Sequence, residues 1–154
     1  MPVPSALAGG YVALSRLHLA GHYGLFAVMT TDRPELVFEA TEDGTTWAAY
    51  DFFEKPGDPA RGPRWCAPHM PRFDWMLWFA ALSEDGELDG WVIRVAAGLL
   101  ENRPETRALF RSAPFEARPL SVRIVRARYV FATSGPDRWR VQSRRVLRTF
   151  RRRD

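Results

Sequence analysis

Three features of the sequence predict an α+β domain, mainly β, in which an antiparallel β-sandwich carries an inserted cap of short helices. The step Asp43-Gly44 joins two strand-like runs, residues 35–40 (ELVFEA) and 45–53 (TTWAAYDFF), and Asp-Gly between such runs is a strong hairpin signal. Residues 121–133 (SVRIVRARYVFAT) alternate apolar and charged side chains with the two-residue period of a strand. Between these regions the apolar spacing becomes helical, so helices are inserted between the middle and later strands.

Taken in order, residues 1–20 read as a partly ordered arm. Residues 23–30 (YGLFAVMT), bounded by Gly21 and by Asp32-Arg33-Pro34, read as a buried strand. In the second run of the hairpin, Trp47, Ala49 and Phe53 fall on one face and Ala48, Tyr50 and Phe52 on the other, so both faces are expected to be covered. Residues 54–63 (EKPGDPARGP) are broken by proline and glycine, and the chain leaves the sheet there.

Residues 65–82 (WCAPHMPRFDWMLWFAAL) then form a loop fixed by Pro68 and Pro71 and a short helix whose Phe73, Leu77, Trp78, Ala81 and Leu82 share an apolar side. Asp89 is placed to cap a second helix, residues 91–102, with Trp91, Val95, Leu99 and Asn102 on one side. Pro104 suits the first turn of a third, in which Ala108 and Leu109 face inward. In the strand at 121–133, Val125, Ala127, Tyr129 and Phe131 alternate with Arg126, Arg128 and Val130, which makes the outer face arginine-lined. Residues 139–147 read as an edge strand. The domain is therefore drawn over residues 21–148, with a basic tail at 149–154.

Composition narrows the function classes. A chain of 154 residues, 46% hydrophobic and 13% aromatic, suits one globular domain. The net charge is +4, and Lys55 is the only lysine, so the positive charge is arginine, densest at Arg144, Arg145, Arg148, Arg151, Arg152 and Arg153. Such a run attracts phosphate arrays or anionic lipid, but it is terminal and lacks interleaved aromatics beyond Phe150, so no specific nucleic-acid partner is expected. Weak contact with an anionic lipid surface is the expectation it supports. No stretch approaches the ~20 apolar residues that span a bilayer, and the chain is expected to be soluble. A lone Cys66 excludes an intrachain disulfide framework.

Catalytic and metal signals are weak. His18 and His22 are four apart, yet Gly21 and Gly24 argue against a helix that would align them, and no zinc-type spacing with Cys66 or His69 follows. There is no nucleophile elbow and no phosphate-cradling glycine loop. No enzyme activity, metal or cofactor is expected. The informative stretch is 65–82, read first as a packing clamp in which Arg72 pairs with Asp74. Its candidate motif or partner-binding residues are Trp65, His69, Arg72, Asp74, Trp75 and Trp78. Exposed tryptophans on such a fold serve either a protein partner or a carbohydrate.

Three segments in this order and spacing, YGLFAVMTTDRP (23–34), ELVFEATEDGTTW (35–47) and WCAPHMPRFDWMLWFAAL (65–82), resemble the carboxy-terminal soluble domain of the lipase maturation factor family. Pro114-Phe115, Arg118-Pro119 and the strand carrying Arg128-Tyr129 extend the resemblance, which runs from about Leu17 to Trp139. The chain departs from the family's pattern at Gly21-His22, at Met70, and at Trp139, which stands alone before arginines. The resemblance implies a non-enzymatic folding or assembly factor that binds a client protein, a secreted lipase. It further implies a membrane-spanning half or partner, since animal members act in the endoplasmic reticulum membrane. The SEDG-containing segment (83–86), read as strand-turn-strand, is also similar to discoidin-type galactose-binding sandwiches, and a carbohydrate- or ligand-binding sandwich module is the alternative.

Overall fold

The computed structural model describes residues 5–16, 33–62, 64–65, 71–83 and 86–152. The chain divides into two units, Met1–Thr31 and Asp32–Asp154. In the first, helix α1 (Ser5–Arg16) occupies part of the expected arm and exposes Tyr11 and Leu14. The strand expected at 23–30 lies outside the described residues.

The second unit is a four-stranded antiparallel sheet in the order β2-β1-β3-β4, built from β1 (Arg33–Thr41), β2 (Ala48–Ala49), β3 (Ser121–Phe131) and β4 (Trp139–Arg151). Helices α2 (Arg72–Ala81), α3 (Gly90–Leu100) and α4 (Pro104–Arg107) fall between β2 and β3 in sequence, as the change of period predicts. The α+β class holds. Among the described residues the layer over the sheet is helical, and a second sheet, which the sandwich expectation requires, is not found there.

The reason is aromatic packing. Leu36, Phe38, Ala40, Val122 and Ile124 present one sheet face to Leu77 and Ala81 of α2 and to Val92, Ala96 and Leu99 of α3. Phe110, just after α4, centres this core: its ring lies 5.2–5.6 Å from those of Phe38, Tyr50, Phe52 and Phe73. Rings at these separations add to the burial of their own area, so short helices supply the cover of a second sheet.

Several local expectations are corrected. The hairpin at Asp43-Gly44 forms, but as a wider turn. The Asp43 carboxylate accepts hydrogen bonds from Thr41 Oγ1 at 2.9 Å and from the amides of Thr45 and Thr46 at 2.8 and 2.7 Å, while Gly44 takes φ +81°. These donors hold the Asp43 carboxyl well below the usual carboxylate range.

The run expected as a strand over 45–53 pairs with β1 only at Ala48–Ala49. Beyond it, Asp51 bridges to Ser112, and Arg61 takes the carbonyls of Phe52 (2.7 Å) and Lys55 (2.9 Å) that a ladder would use. In α3 the buried stripe is Val92, Ala96 and Leu99, with Trp91 and Val95 beside it. The Asp89 side chain accepts from Trp91 Nε1 instead of capping an amide, and Asn102 has left the helix at φ +57°. Ala108 and Leu109 are exposed, and Phe110 is the inward residue. Arg126 and Arg128 lie on the same sheet face as Val122 and Ile124, the face that meets the helices.

The basic tail is also corrected. β4 continues to Arg151, opposite Ser121, so Arg144, Arg145, Arg148 and Arg151 are strand residues. An edge strand lets long charged side chains reach water, and irregularities between Ile124 and Val125 and between Arg128 and Tyr129 bend it as edge strands often bend. The first of these irregularities brings Leu147 with Phe150 onto the helical core.

The opposite sheet face carries Val37, Val125, Ala127, Tyr129 and Trp139. The loop after β2 meets this face: Pro59 O accepts from the amides of Arg138 (2.8 Å) and Trp139 (3.1 Å), and Tyr129 donates to Gly57 O at 3.2 Å. Burial pushes the Tyr129 hydroxyl up to about 12. The same loop buries Lys55 completely. Its Nζ lies 2.9 Å from Glu35 Oε2, donates to Leu36 O at 3.0 Å, and sits 4.3 Å from the centre of the Phe52 ring.

Removing Lys55 leaves the buried Glu35 carboxylate with Arg33 Nε, 2.9 Å from its Oε1, and takes away its buried partner, so Lys55→Met is expected to destabilise by about 3 kcal/mol, the lower end for a broken buried pair. Adding Glu35→Gln is expected to recover part of that loss. Denaturant unfolding of the two single variants and the double variant measures the coupling, and simple additivity would show that the pair is not coupled.

Candidate functional site

The site is built on α2, which Pro71 introduces by fixing the backbone before the first turn. No side chain caps this helix; the Trp75 amide donates to Pro71 O at 3.1 Å. Its first-turn acid, Asp74, is fully buried and turned toward the preceding loop. Asp74 Oδ2 accepts the amides of Glu54 at 2.8 Å and Lys55 at 3.2 Å, and Oδ1 has no donor among the described residues. The expected Arg72–Asp74 pair is absent: Arg72 is exposed, and the buried carboxylate is satisfied by backbone instead. Burial pushes the Asp74 carboxyl up, against the pull of the two amides and the Lys55 charge.

Successive helix positions turn by about 100°, so placing Asp74 and Leu77 inward turns Trp75, Phe79 and Leu82 to an outward side, about 80–140° away from Asp74, with Trp78 at the boundary. That side is apolar too. Trp75 is 43% exposed and Leu82 38%, with Trp78 and Phe79 half-buried between them. The Phe79 ring holds the row together, 4.7 Å from Trp75 and 5.0 Å from Trp78. α2 therefore has two apolar stripes, whereas a helix that only packs on a sheet needs one.

The six candidate residues thus separate. Trp75 and Trp78 come together on the outward stripe, Arg72 is exposed on the same helix, and Asp74 is the anchor beneath it. Trp65 is 89% exposed. His69 lies outside the described residues, as do Cys66, His18 and His22. Among the described residues, no group of three or more His, Cys, Asp or Glu is placed to hold a metal ion.

The sequence reading missed Phe79 as a member of the stripe, although the 75, 78, 79, 82 spacing carries it. It also missed a second feature on the sheet face away from the helices. There Glu39 accepts from Arg123 Nε at 2.7 Å and from Arg144, and the Arg123 guanidinium lies 4.1 Å from the centre of the Trp47 ring. A cleft of about 390 Å³ opens beside this cluster, lined by Val37, Trp47, Tyr129 and Val141 among others. The alternation of Glu35, Val37 and Glu39 in ELVFEA was the available signal.

Asp74→Ala is expected to cost about 1–3 kcal/mol by leaving two loop amides without an acceptor. Asp74→Asn keeps a carbonyl oxygen for both amides and should lose less. Because the folded pKa is raised, the native state holds its proton more tightly than the unfolded state. Stability conferred by Asp74 therefore falls as pH rises from about 4 through the folded pKa. Unfolding free energies of the wild type and Asp74→Asn, compared across pH, are expected to shift in favour of the variant over that window; a shift in the other direction would mean that the amides outweigh burial.

Residues 19–152 match the lipase maturation factor C-terminal domain family. The chain is 37% identical to mouse lipase maturation factor 2 over 135 residues, covering 82% of this chain and 19% of that protein. It is 35% identical to human lipase maturation factor 1 over 127 residues, covering 77% and 22%. It thus spans about a fifth of the length of these curated relatives. No solved structure matches it, and no described helix is long and apolar enough to cross a membrane. With the family's profile matching nearly the whole second unit, the chain belongs to the lipase maturation factor family, as a C-terminal domain of that family.

Proposed function

We propose that this domain is a non-enzymatic folding factor which holds a client lipase through the outward aromatic stripe of α2. One observation carries the reading: the second apolar stripe of α2, formed by Trp75, Trp78, Phe79 and Leu82 and unneeded for packing on the sheet. A polypeptide that has not finished folding exposes apolar surface, and flat aromatic side chains on a rigid helix bury such surface at little cost in side-chain entropy. The relatives' names supply the class of client. In this reading the domain works as one part of a larger protein with a membrane-spanning half, which keeps it beside newly made secreted chains.

Trp75→Ala with Trp65→Ala removes much of the exposed aromatic area while leaving the core intact, so the fold is expected to lose no more than about 1 kcal/mol. Aromatic anchors at interfaces commonly contribute about 2 kcal/mol each, so binding to a lipase refolding from denaturant should weaken by tenfold or more, on the order of that energy. Surface-bound lipase intermediates and recovered lipase activity are the two readouts. Undiminished lipase capture by the variant would remove the stripe from the mechanism. Tryptophan-dependent binding to a glycan array, without lipase capture, would establish the carbohydrate-binding module in its place.

A further inference from the structure

We propose, on the reading that α2 holds the client, that the occupant of its aromatic stripe is an acidic amphipathic helix and that Arg72 sets which way this helix lies. Trp75, Trp78, Phe79 and Leu82 stand at the spacing i, i+3, i+4 and i+7. Apolar anchors of a second helix recur at the same steps, so two such helices seat side by side.

The backbone decides against an extended occupant. A strand binds where a sheet edge offers amides and carbonyls, and α2 uses its own within the helix. At one end of the stripe the Trp75 amide donates to Pro71 O at 3.1 Å, and at the other the Leu82 amide donates to Phe79 O at 3.0 Å. An extended chain laid on these rings would lose water from its peptide groups and gain no partner for them, a penalty repeated at each buried group. A helical occupant has satisfied its own backbone before it arrives.

Charge narrows the choice further. Arg72 is exposed and lies seven positions before Phe79, about 20° away in projection down the helix, so it heads the same row. Asp74 is the only other ionisable residue of α2 and is buried. The positive end of the helix dipole adds to the Arg72 charge. A carboxylate on the occupant, one turn beyond its apolar anchors, is attracted there, and a basic group in the same place is repelled. Charges at the rim of a contact act on orientation and partner choice more than on affinity, so the rings supply adhesion and Arg72 supplies direction. From Trp75 to Leu82 the stripe is about 10 Å long, far short of a standard interface, which makes the contact transient.

Three labelled peptides of about 18 residues, long enough to sustain a helix once seated, test this against the full chain. The first carries leucines at helical spacing and glutamates at one end. The second has lysines in place of the glutamates, and the third has the composition of the first with its leucines at alternate positions. Fluorescence anisotropy is expected to show saturable binding of the glutamate helix, with a gain in peptide helicity by circular dichroism, and binding of the alternating peptide weaker by about tenfold or more. Trp75→Ala is expected to weaken the glutamate helix by about tenfold or more. Arg72→Glu puts a favourable charge at the start of α2, so the fold is retained. It should weaken the glutamate helix by up to about fivefold and strengthen the lysine helix to a similar degree, the exchange of one exposed ion pair. Capture of a refolding lipase is measured on the same variants. Trp75-dependent lipase capture without preference among the peptides overturns the helical occupant and leaves the folding-factor reading standing. Preference for the glutamate helix without lipase capture supports the helix site and removes a lipase as its client. Dimerisation of the free chain through Trp75, or Trp75-dependent binding to phosphatidylcholine vesicles with no peptide bound, gives the stripe to another occupant and overturns the proposal. Equal losses for the glutamate and lysine helices in Arg72→Glu overturn the part assigned to Arg72.

Discussion

Everything on the helical side of this domain depends on how one loop amide pair and one ammonium are satisfied out of reach of water. Lys55, the only lysine in the chain, is fully buried and meets Glu35, the Leu36 carbonyl and the Phe52 ring face. The ammonium donates to the Leu36 carbonyl and is otherwise held by the Glu35 charge at 2.9 Å and by the face of the Phe52 ring. The amides of Glu54 and Lys55 go to Asp74, so β1, the loop and α2 are tied at one point. A buried polar cluster of this kind adds little net stability compared with apolar packing, but each member becomes costly to remove once the others are in place.

That tie also fixes the rotation of α2. With Asp74 held on the loop and Leu77 in the core, Trp75 and Phe79 have only the outer side left. The exposure of the aromatic stripe is thus a consequence of the buried carboxylate, and the two belong to one arrangement. The apolar area that Trp75 leaves in water is stabilisation forgone in the free domain. It becomes available when a partner covers it.

The legible parts of the fold were those governed by local periodicity. Asp43-Gly44 marked the hairpin because the turn needs φ > 0 and a side-chain acceptor, both local demands. The alternation in SVRIVRARYVF marked β3 for the same reason. The early end of β2 was not legible, because it is decided by Arg61, whose guanidinium occupies carbonyls six and nine residues away in a loop of no regular period. The burial of Lys55 and of Asp74 beneath the loop was not legible either, since charged residues are mostly exposed and burial of either depends on partners brought from elsewhere in the fold. The arginines after Leu147 read as a solvated tail because charge density hides strand alternation; only the pairing with β3 reveals it. Of the candidate site, the tryptophans were found by type, the Arg72–Asp74 pair was misassigned by proximity, and the stripe needed the helix phase that Asp74 sets.

A domain that exposes Trp65, Trp75 and Leu82 and also has an open sheet edge faces two routes to self-association, apolar contact and edge-to-edge pairing. The arginines oppose both. Along β4 they place charge where another strand of the same protein would have to bring its own arginines, and their register irregularities bend the edge away from a flat template. The net charge of +4 adds a general repulsion between copies. An approaching client that is neutral or acidic meets neither obstacle. The same charge distribution that disfavours contact between copies leaves the aromatic stripe open to other chains, which is the combination the proposed role requires.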